Sequence, residues 1–353
     1  MPATAIDLFC GAGGLTRGLQ NVGINVTAGI DFDQTCQYAY EHNNGAAFIH
    51  KKIQDVTANE LIPYYPPNDI RILVGCAPCQ PFSSHTKKYK KNGADRRDER
   101  WYLINDFFRL VRDIRPDVVS MENVPNLIEQ DIFHSFVNRL RRAGYSVSYS
   151  IVYCPDYGVP QQRSRLVLLA SRHGRIELID PTNDPEHYNT VKSAIGQLPA
   201  VEAGGISEND PLHKASRLSD INLKRIRVSK PGGTWHDWDE SLLCPCHKKE
   251  TGKTYASVYA RMEWDKPSPT ITTEFYNYGT GRFGHPEQDR ALSLREGALL
   301  QTFPPNYEFM ENGEYTYKQV GKMIGNAVPV KLAEAIGRSI QEHINVQHIV
   351  RNL

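Results

Sequence analysis

At 353 residues with a hydrophobic fraction of 40%, the chain is long enough for two domains and suits a globular protein with a sizeable core. The formal net charge of +1 does not by itself announce a nucleic-acid binder. Met1-Pro2-Ala3-Thr4 carries no basic segment followed by an apolar core, and no apolar stretch approaches membrane-spanning length, so a cytoplasmic protein is expected. Seven cysteines, an odd number without framework spacing, argue for reduced thiols rather than a disulfide scaffold.

Ile6-Asp7-Leu8-Phe9 reads as a first strand, and Gly11, Gly13 and Gly14 let the chain turn tightly before a helix beginning near Leu15. This strand-turn-helix departs from the full G-x-G-x-x-G fingerprint, which argues against a nicotinamide cofactor, and it lacks the Lys or Ser/Thr of a P-loop. A lone glycine turn is also often only a turn. A second strand, Val26 to Ile30, ends at Asp31, about 20 residues beyond the glycines, where a carboxylate can accept hydrogen bonds from ribose hydroxyls. Phe32 beside it offers a face to an adenine ring; Asp31 as a helix N-cap is the alternative. Ile70-Arg71-Ile72-Leu73-Val74 predicts a buried parallel strand that delivers Gly75-Cys76-Ala77-Pro78-Cys79-Gln80-Pro81-Phe82-Ser83 to its carboxyl end, where open α/β sheets place ligands. Pro78 bars helix there and pushes Ala77 toward an extended conformation, presenting the Cys79 sulfur as a candidate nucleophile. Cys76 precedes it as C-x-x-C, which in a redox protein would be the signature. Cys10 and Cys36, in apolar or helical contexts, read as packed thiols.

Ser83 to Arg100 is polar, basic and free of helical periodicity, and a long structureless stretch of this kind is usually a functional lid or disordered. Lys87, Lys88, Lys90, Lys91, Arg96, Arg97 and Arg100 form one basic cluster, and Lys224, Arg225 and Arg227 another. Solvated faces are the bland alternative for either; the place of the first directly after Cys79 favours DNA. Helix resumes from Trp101, with Leu103, Phe107, Leu110, Val111 and Ile114 on one face. Val118 to Met121 predicts the next buried strand, ending at Glu122-Asn123, and a glutamate at a strand tip beside that of Cys79 suits a general acid. Pro125 then breaks regular structure. Val147 to Tyr153 and Leu166 to Ala170 are further strands flanking Gly158 to Arg165, and in a strand Arg163 and Arg165 share one face. From about Ser171 to about Pro286 the α/β alternation is lost, which predicts a second, smaller domain of irregular and β structure. There Cys244-Pro245-Cys246-His247 is spaced more tightly than the usual C-x₂₋₄-C pair and no second ligand pair follows, so no metal is expected. Ser293-Leu294-Arg295-Glu296 is a capping box opening a helix to Gln301, a short helix covers Gln319 to Ile324, and Val330 begins a final helix with Leu332, Ala333, Ile336 and Ile340 facing inward.

Five of these stretches, in order, resemble the landmarks of the DNA cytosine-5 methyltransferases. Asp7-Leu8-Phe9-Cys10-Gly11-Ala12-Gly13-Gly14 looks like that family's cofactor turn and Pro78-Cys79-Gln80 like its catalytic motif; Glu122-Asn123-Val124, Gln161-Gln162-Arg163-Ser164-Arg165 and Gly325-Asn326-Ala327-Val328-Pro329 follow. The resemblance implies an α/β fold with a Rossmann-like S-adenosylmethionine-dependent methyltransferase sheet in residues 1–184, a smaller irregular/β target-recognition domain in 185–286, and a segment, 287–353, returning to the catalytic domain. It implies S-adenosyl-L-methionine held by Phe9, Gly11, Gly13, Gly14, Leu15, Asp31, Phe32, Asp55, Val56, Asn326 and Val328. It also implies double-stranded DNA as substrate: a cytosine is flipped out, attacked at carbon 6 by Cys79 and methylated at carbon 5, with Glu122 at N3 and with Arg163 and Arg165 at the O2 edge. The basic stretch would close over DNA, with Arg100 in the place of a loop arginine. A monomeric, cytoplasmic, nucleoid-associated enzyme is expected, paired with a restriction endonuclease that acts on the same site without a stable complex. The nearest rival moves the chemistry to tRNA cytosine, but that branch carries a Cys-Phe-Thr tripeptide absent here. A catalytically silent DNA-binding protein of the same fold and a redox protein using Cys76 and Cys79 are more distant.

Overall fold

The computed structural model describes residues 2–78, 103–253, 256–311 and 315–351, so Cys79 and the basic stretch through Arg100 lie outside the described residues. The chain forms two compact units: Met1–Tyr157, Ser164–Thr182 and Val328–Leu353 make the first, and Gly158–Arg163 with Asn183–Ala327 the second.

The first unit is built on a seven-stranded sheet. In chain order come β1 (Ala3–Leu8), α1 (Gly14–Asn21), β2 (Asn25–Asp31), α2 (Gln37–Asn44), β3 (Ala47–His50), α3 (Ala58–Leu61), β4 (Ile70–Gly75), α4 (Leu103–Ile114), β5 (Val118–Asn123), α5 (Asp131–Arg142) and β6 (Ser146–Tyr153); after β7 (Gln161–Gln162), which belongs to the second unit, β8 (Ser164–Ser171) completes the sheet. The strand order is β3-β2-β1-β4-β5-β8-β6. The strands from β3 to β5 are parallel, and β8 runs antiparallel to both β5 and β6. All six residues of β5 are buried, as are all of β4 except Arg71, which is why these segments read as continuous apolar runs. Chain order reverses between β1 and β4, so the carboxyl ends of these two strands flank the crevice where such a sheet can admit a ligand.

Leu103, Phe107, Leu110, Val111 and Ile114 of α4 are buried on one stripe, as the periodicity predicts. Beside them α5, which the sequence reading passes over after Pro125, buries Phe133, Phe136, Val137 and Leu140; Phe107 and Phe136 meet with ring centroids 5.7 Å apart.

The second unit contains α6 (Val191–Ile195), α7 (Asp220–Val228), α8 (Glu250–Lys253), β9 (Ser268–Pro269), α9 (Leu294–Leu300) and α10 (Tyr317–Asn326). Among its described residues the named strands are only the two-residue pair β7 and β9, so the unit is less β-rich than the sequence predicts. Arginines satisfy the carbonyls that a sheet would otherwise pair. Arg261, 5% exposed, donates to the carbonyls of Ile226 (3.1 Å), Ser229 (3.0 Å), His285 (2.8 Å) and Gln288 (2.6 Å) and pairs with Asp289. Arg290 makes a bidentate pair with Glu296 (2.7 and 2.8 Å), whose carboxylate also accepts from the Ser293 amide in the capping box opening α9. Burial would raise Glu296, but its bonds to Arg290 hold it below the usual carboxylate range. Residues 287–327, predicted to belong to the returning segment, pack in this unit because α9 and α10 lie against each other and α9 against α6.

The chain re-enters the first unit at Val328, and α11 (Val330–Arg351) packs on α1. Leu332, Ala333, Ile336 and Ile340 are all fully buried, as predicted. At Gly18 the contact is backbone-close: a Cβ there would lie 2.3 Å from that of Ala333.

Candidate active site

The turn after β1 requires unusual backbone. Phe9 (φ +61°), Gly11 (φ +51°) and Gly13 (φ +89°) are all left-handed, and Gly13 ends the turn by preceding α1, which starts at Gly14 with Leu15 buried behind it. The Gly11 amide donates to Asp31 Oδ2 and the Asp33 amide to Asp31 Oδ1, both at 2.9 Å. Asp31 is therefore fixed by backbone at the end of β2, and the N-cap of the following turn, Gln34–Cys36, is Asp33 instead. Beside it the Phe32 side chain stands 57% exposed. Phe9, Ile30, Asp31, Phe32, Lys51, Lys52, Ile53, Gln54, Pro78 and Leu103 line a cavity of about 220 Å³ at these strand tips. A carboxylate at the end of β2, an exposed aromatic face and walls of Ile30, Ile53 and Leu103 suit a nucleoside.

Gln54 rather than Asp55 forms the wall here. Asp55 is exposed at the end of the turn Ile53–Asp55, and the Val56 side chain is buried in the core. Arg109, which the sequence reading passes over, holds this turn by donating to the carbonyls of Val56 (2.7 Å) and Ile53 (2.8 Å). Under the glycine turn, Asp7 Oδ2 accepts from Thr16 Oγ1 (2.8 Å), and Asp7 Oδ1 is buried without a hydrogen-bond partner. Burial pushes the Asp7 carboxyl up to about 7, with the nearby charge of Asp31 adding to the rise and the Thr16 bond opposing it.

A second constellation joins the tips of β4 and β5. Glu122, 3% exposed, accepts a hydrogen bond from the Cys76 thiol at Oε2 (2.8 Å) and faces Arg165 Nε at Oε1 (2.7 Å). The Arg165 contact is close but misaligned, so Oε1 makes no directional hydrogen bond and keeps acceptor capacity. Next to it, Asn123 Nδ2 donates to the Ala77 carbonyl (3.0 Å), fixing the chain just ahead of Pro78. Sequence alone finds Glu122 and Arg165. It does not assign Cys76 or Asn123 this tethering, because neither residue type implies it.

Arg163 and Arg165 do not share one strand face. The chain leaves β7, paired with β9, after Gln162, and β8 starts at Ser164, so side-chain alternation is interrupted at Arg163. Arg163 is buried in the second unit, donating to the Ile271 carbonyl (3.1 Å) and to Gln161 Oε1 (3.3 Å). Arg225 also departs from its predicted place in a surface cluster. It is 8% exposed, bonded to the Leu242 carbonyl (2.8 Å) and set over the rings of Trp238 and Tyr259, whereas Lys224 and Arg227 are exposed. Asn326 is exposed at the end of α10 in the second unit, and Val328 is buried where the chain re-enters the first. Cys10 and Cys36 are buried, as predicted. No helix among the described residues is long and apolar enough to cross a membrane.

The profile of the C-5 cytosine-specific DNA methylase family matches residues 3–342. The chain is 54% identical over 351 residues to Type II methylase M.HgiDII of Herpetosiphon aurantiacus, covering 99% of this chain and 98% of that protein. It is 31% identical to Type II methyltransferase M1.HphI of Haemophilus parahaemolyticus, covering 96% and 87%. Among solved structures it shares the fold of the Entamoeba histolytica methyltransferase EhMeth (TM-score 0.67, 17% identity, 98% of this chain and 99% of that one). It also shares that of a mutant of Spodoptera frugiperda DNMT2 (TM-score 0.64, 19% identity, 96% and 99%). A profile running across nearly the whole chain, and a relative identical at more than half of the aligned positions, set this protein in the C-5 cytosine-specific DNA methylase family: it is a DNA cytosine-5 methyltransferase.

Proposed function

We propose that the enzyme uses S-adenosyl-L-methionine to methylate carbon 5 of a cytosine rotated out of a specific duplex DNA sequence, as the modification enzyme of a restriction-modification system. The observation that carries this reading is the junction of Glu122 with Cys76 and Arg165 at the strand tip that leads, three residues after Cys76, to Cys79. Similarity to a protein named as a type II methylase supports the restriction-modification role. The enzyme acts as a cytoplasmic, nucleoid-associated monomer beside an endonuclease that cuts the same site without a stable complex.

Bound at the β1 and β2 tips, S-adenosyl-L-methionine supplies an electrophilic methyl group. Asp31 takes its ribose hydroxyls, Phe32 faces its adenine, and Phe9, Gly11, Gly13, Gly14 and Leu15 shape the turn around it. Asp55, Val56, Asn326 and Val328 are assigned to the same ligand by the family resemblance. Carbon 5 of cytosine is a poor nucleophile, and a thiolate adding at carbon 6 makes it enamine-like. Cys79 is that nucleophile. Charge then builds on the ring; the Glu122 carboxyl delivers a proton to N3, and Arg165 steadies the O2 edge while orienting Glu122. Arg163, bonded to carbonyls of its own unit, positions the chain entering Arg165. Carbon 5 takes the methyl group, the carbon 5 proton then leaves to water, Cys79 is expelled as a thiolate, and N3 returns its proton to Glu122, restoring the ring. Rotating the base out costs about a few kcal/mol of unstacking, which DNA contacts must offset.

Bisulfite sequencing of DNA from cells expressing the chain should reveal 5-methylcytosine at one sequence. An oligonucleotide duplex carrying 5-fluorocytosine there should become linked to Cys79 in the presence of the methyl donor, and Cys79→Ala should form no adduct while still binding DNA. An adduct on another side chain, full methylation by that variant, or transfer of label to tRNA in preference to duplex DNA would each overturn the reading.

A further inference from the structure

In the second unit Cys244, Cys246 and His247 bring a ligand atom each to within 4.8 Å of one another. The sequence argues against a metal because Cys244 and Cys246 are spaced more tightly than the usual C-x₂₋₄-C pair and no second ligand pair follows. Here a tight curl makes the three residues converge. The His247 amide donates to the Cys244 carbonyl (2.9 Å), the Lys249 amide to the Cys246 carbonyl (3.3 Å) and the Gly252 amide to the Lys249 carbonyl (2.8 Å). Gly252 comes so near that a Cβ on it would lie 1.9 Å from the Cys246 carbonyl oxygen, so the curl depends on that glycine.

His247 is 4% exposed and stacks on Trp235 with centroids 4.0 Å apart, edged by Trp238 and Tyr259. Its Nδ1 accepts a long hydrogen bond, 3.3 Å, from the Cys244 amide. The lone pair therefore lies at the cysteine end of the ring, and Nε2, carrying the hydrogen, is buried without a hydrogen-bond partner. Two thiols and an imidazole form a donor set that suits Zn²⁺. Zinc–sulfur bonds of about 2.3 Å set tetrahedral sulfurs about 3.8 Å apart, so the donors need close by no more than about 1 Å.

We propose that Cys244, Cys246 and the Nδ1 atom of His247 bind one zinc ion, which takes the Nδ1 lone pair over from the long bond of the Cys244 amide, with water in the fourth position on the exposed Cys246 side. The ion fastens the 240–253 loop to the aromatic cluster of Trp235, Trp238 and Tyr259. Both cysteines ligate as thiolates, releasing two protons as the metal enters.

The test is metal analysis of the full chain purified without chelator and dialysed against micromolar Zn²⁺. One zinc per chain is expected in the parent protein, and none after desalting in Cys244→Ser or Cys246→Ser. Cys246→Ser is the decisive variant, since its exposed side chain spares the fold. Replacing zinc by Co²⁺ in the parent chain should give thiolate-to-cobalt absorption in the near ultraviolet and intense visible bands of four-coordination, a reading that does not depend on either variant folding. Absence of stoichiometric zinc and of the cobalt spectrum in the parent chain, or zinc retained by both serine variants, would overturn the assignment.

Discussion

Glu122 has a thiol on one oxygen and a guanidinium on the other, and the two contacts do different work. The Cys76 S–H is a directional donor that fixes the carboxyl plane; Arg165 supplies charge without alignment. Removing the donor in Cys76→Ala is expected to lower kcat roughly tenfold with KM for the methyl donor unchanged, and Cys76→Ser, which keeps a hydroxyl donor, should recover most of it. Steady-state transfer of labelled methyl groups measures both. Asp7 gives a pH signature. Burial pushes its pKa up to about 7 in the fold from an ordinary value of 3.8, so between these values the native state keeps a proton that the unfolded chain gives up. The stabilisation is full below about 4 and is lost as pH rises through 7, amounting to a few kcal/mol. Urea unfolding of Asp7→Asn should lack that slope; a slope as steep as that of the parent chain would locate the proton elsewhere.

At the scale of elements, the contact of α1 with α11 admits no side chain at Gly18. Gly18→Ala sets a Cβ against Ala333 and the Val330 carbonyl, and overpacking of this kind costs about 1–3 kcal/mol, to be read as a lower thermal midpoint. Arg261→Ala should be more damaging, because four carbonyls and Asp289 lose a shared buried donor, and the loss should appear as aggregation on expression. These elements differ in how far the sequence reveals them. β4 and β5 are legible as short apolar runs because they are buried on both faces. α5 carries a different signal, a helical stripe at Phe133, Phe136, Val137 and Leu140, which the break at Pro125 just before it masks. In the second unit the capping box of α9 and the stretch of α10 are legible, but the rest is not, since what holds it is the reach of side chains such as Arg261 to Ser229 and Arg295 to Asp210, and no local pattern encodes a long side chain's destination. The glycine turn after β1 and Glu122 at the end of β5 were legible for the opposite reason: each declares a local geometry. The place of Arg163 is not legible, because strand alternation does not extend across the interruption between β7 and β8.

For the molecule as a whole, the near-neutral net charge means that DNA affinity must come from local clusters. Lys224→Ala and Arg227→Ala should each weaken DNA binding and reduce the salt dependence by about one phosphate contact, whereas Arg225→Ala should instead lower stability. Fluorescence anisotropy across a salt series, with thermal melts, separates the two outcomes. The chain also crosses between its two units at Tyr157–Gly158, Arg163–Ser164, Thr182–Asn183 and Ala327–Val328. Within the short excursion, Gln161 is fully buried: its side-chain Nε2 donates to Gln301 Oε1 (3.0 Å) and its Oε1 accepts from the Ile271 amide (2.8 Å). Excising residues 183–327 as one fragment would leave both of those groups stranded. Anyone moving the second unit into a relative must therefore transplant the hexapeptide Gly158–Arg163 together with the larger insert, as two pieces of a single cassette.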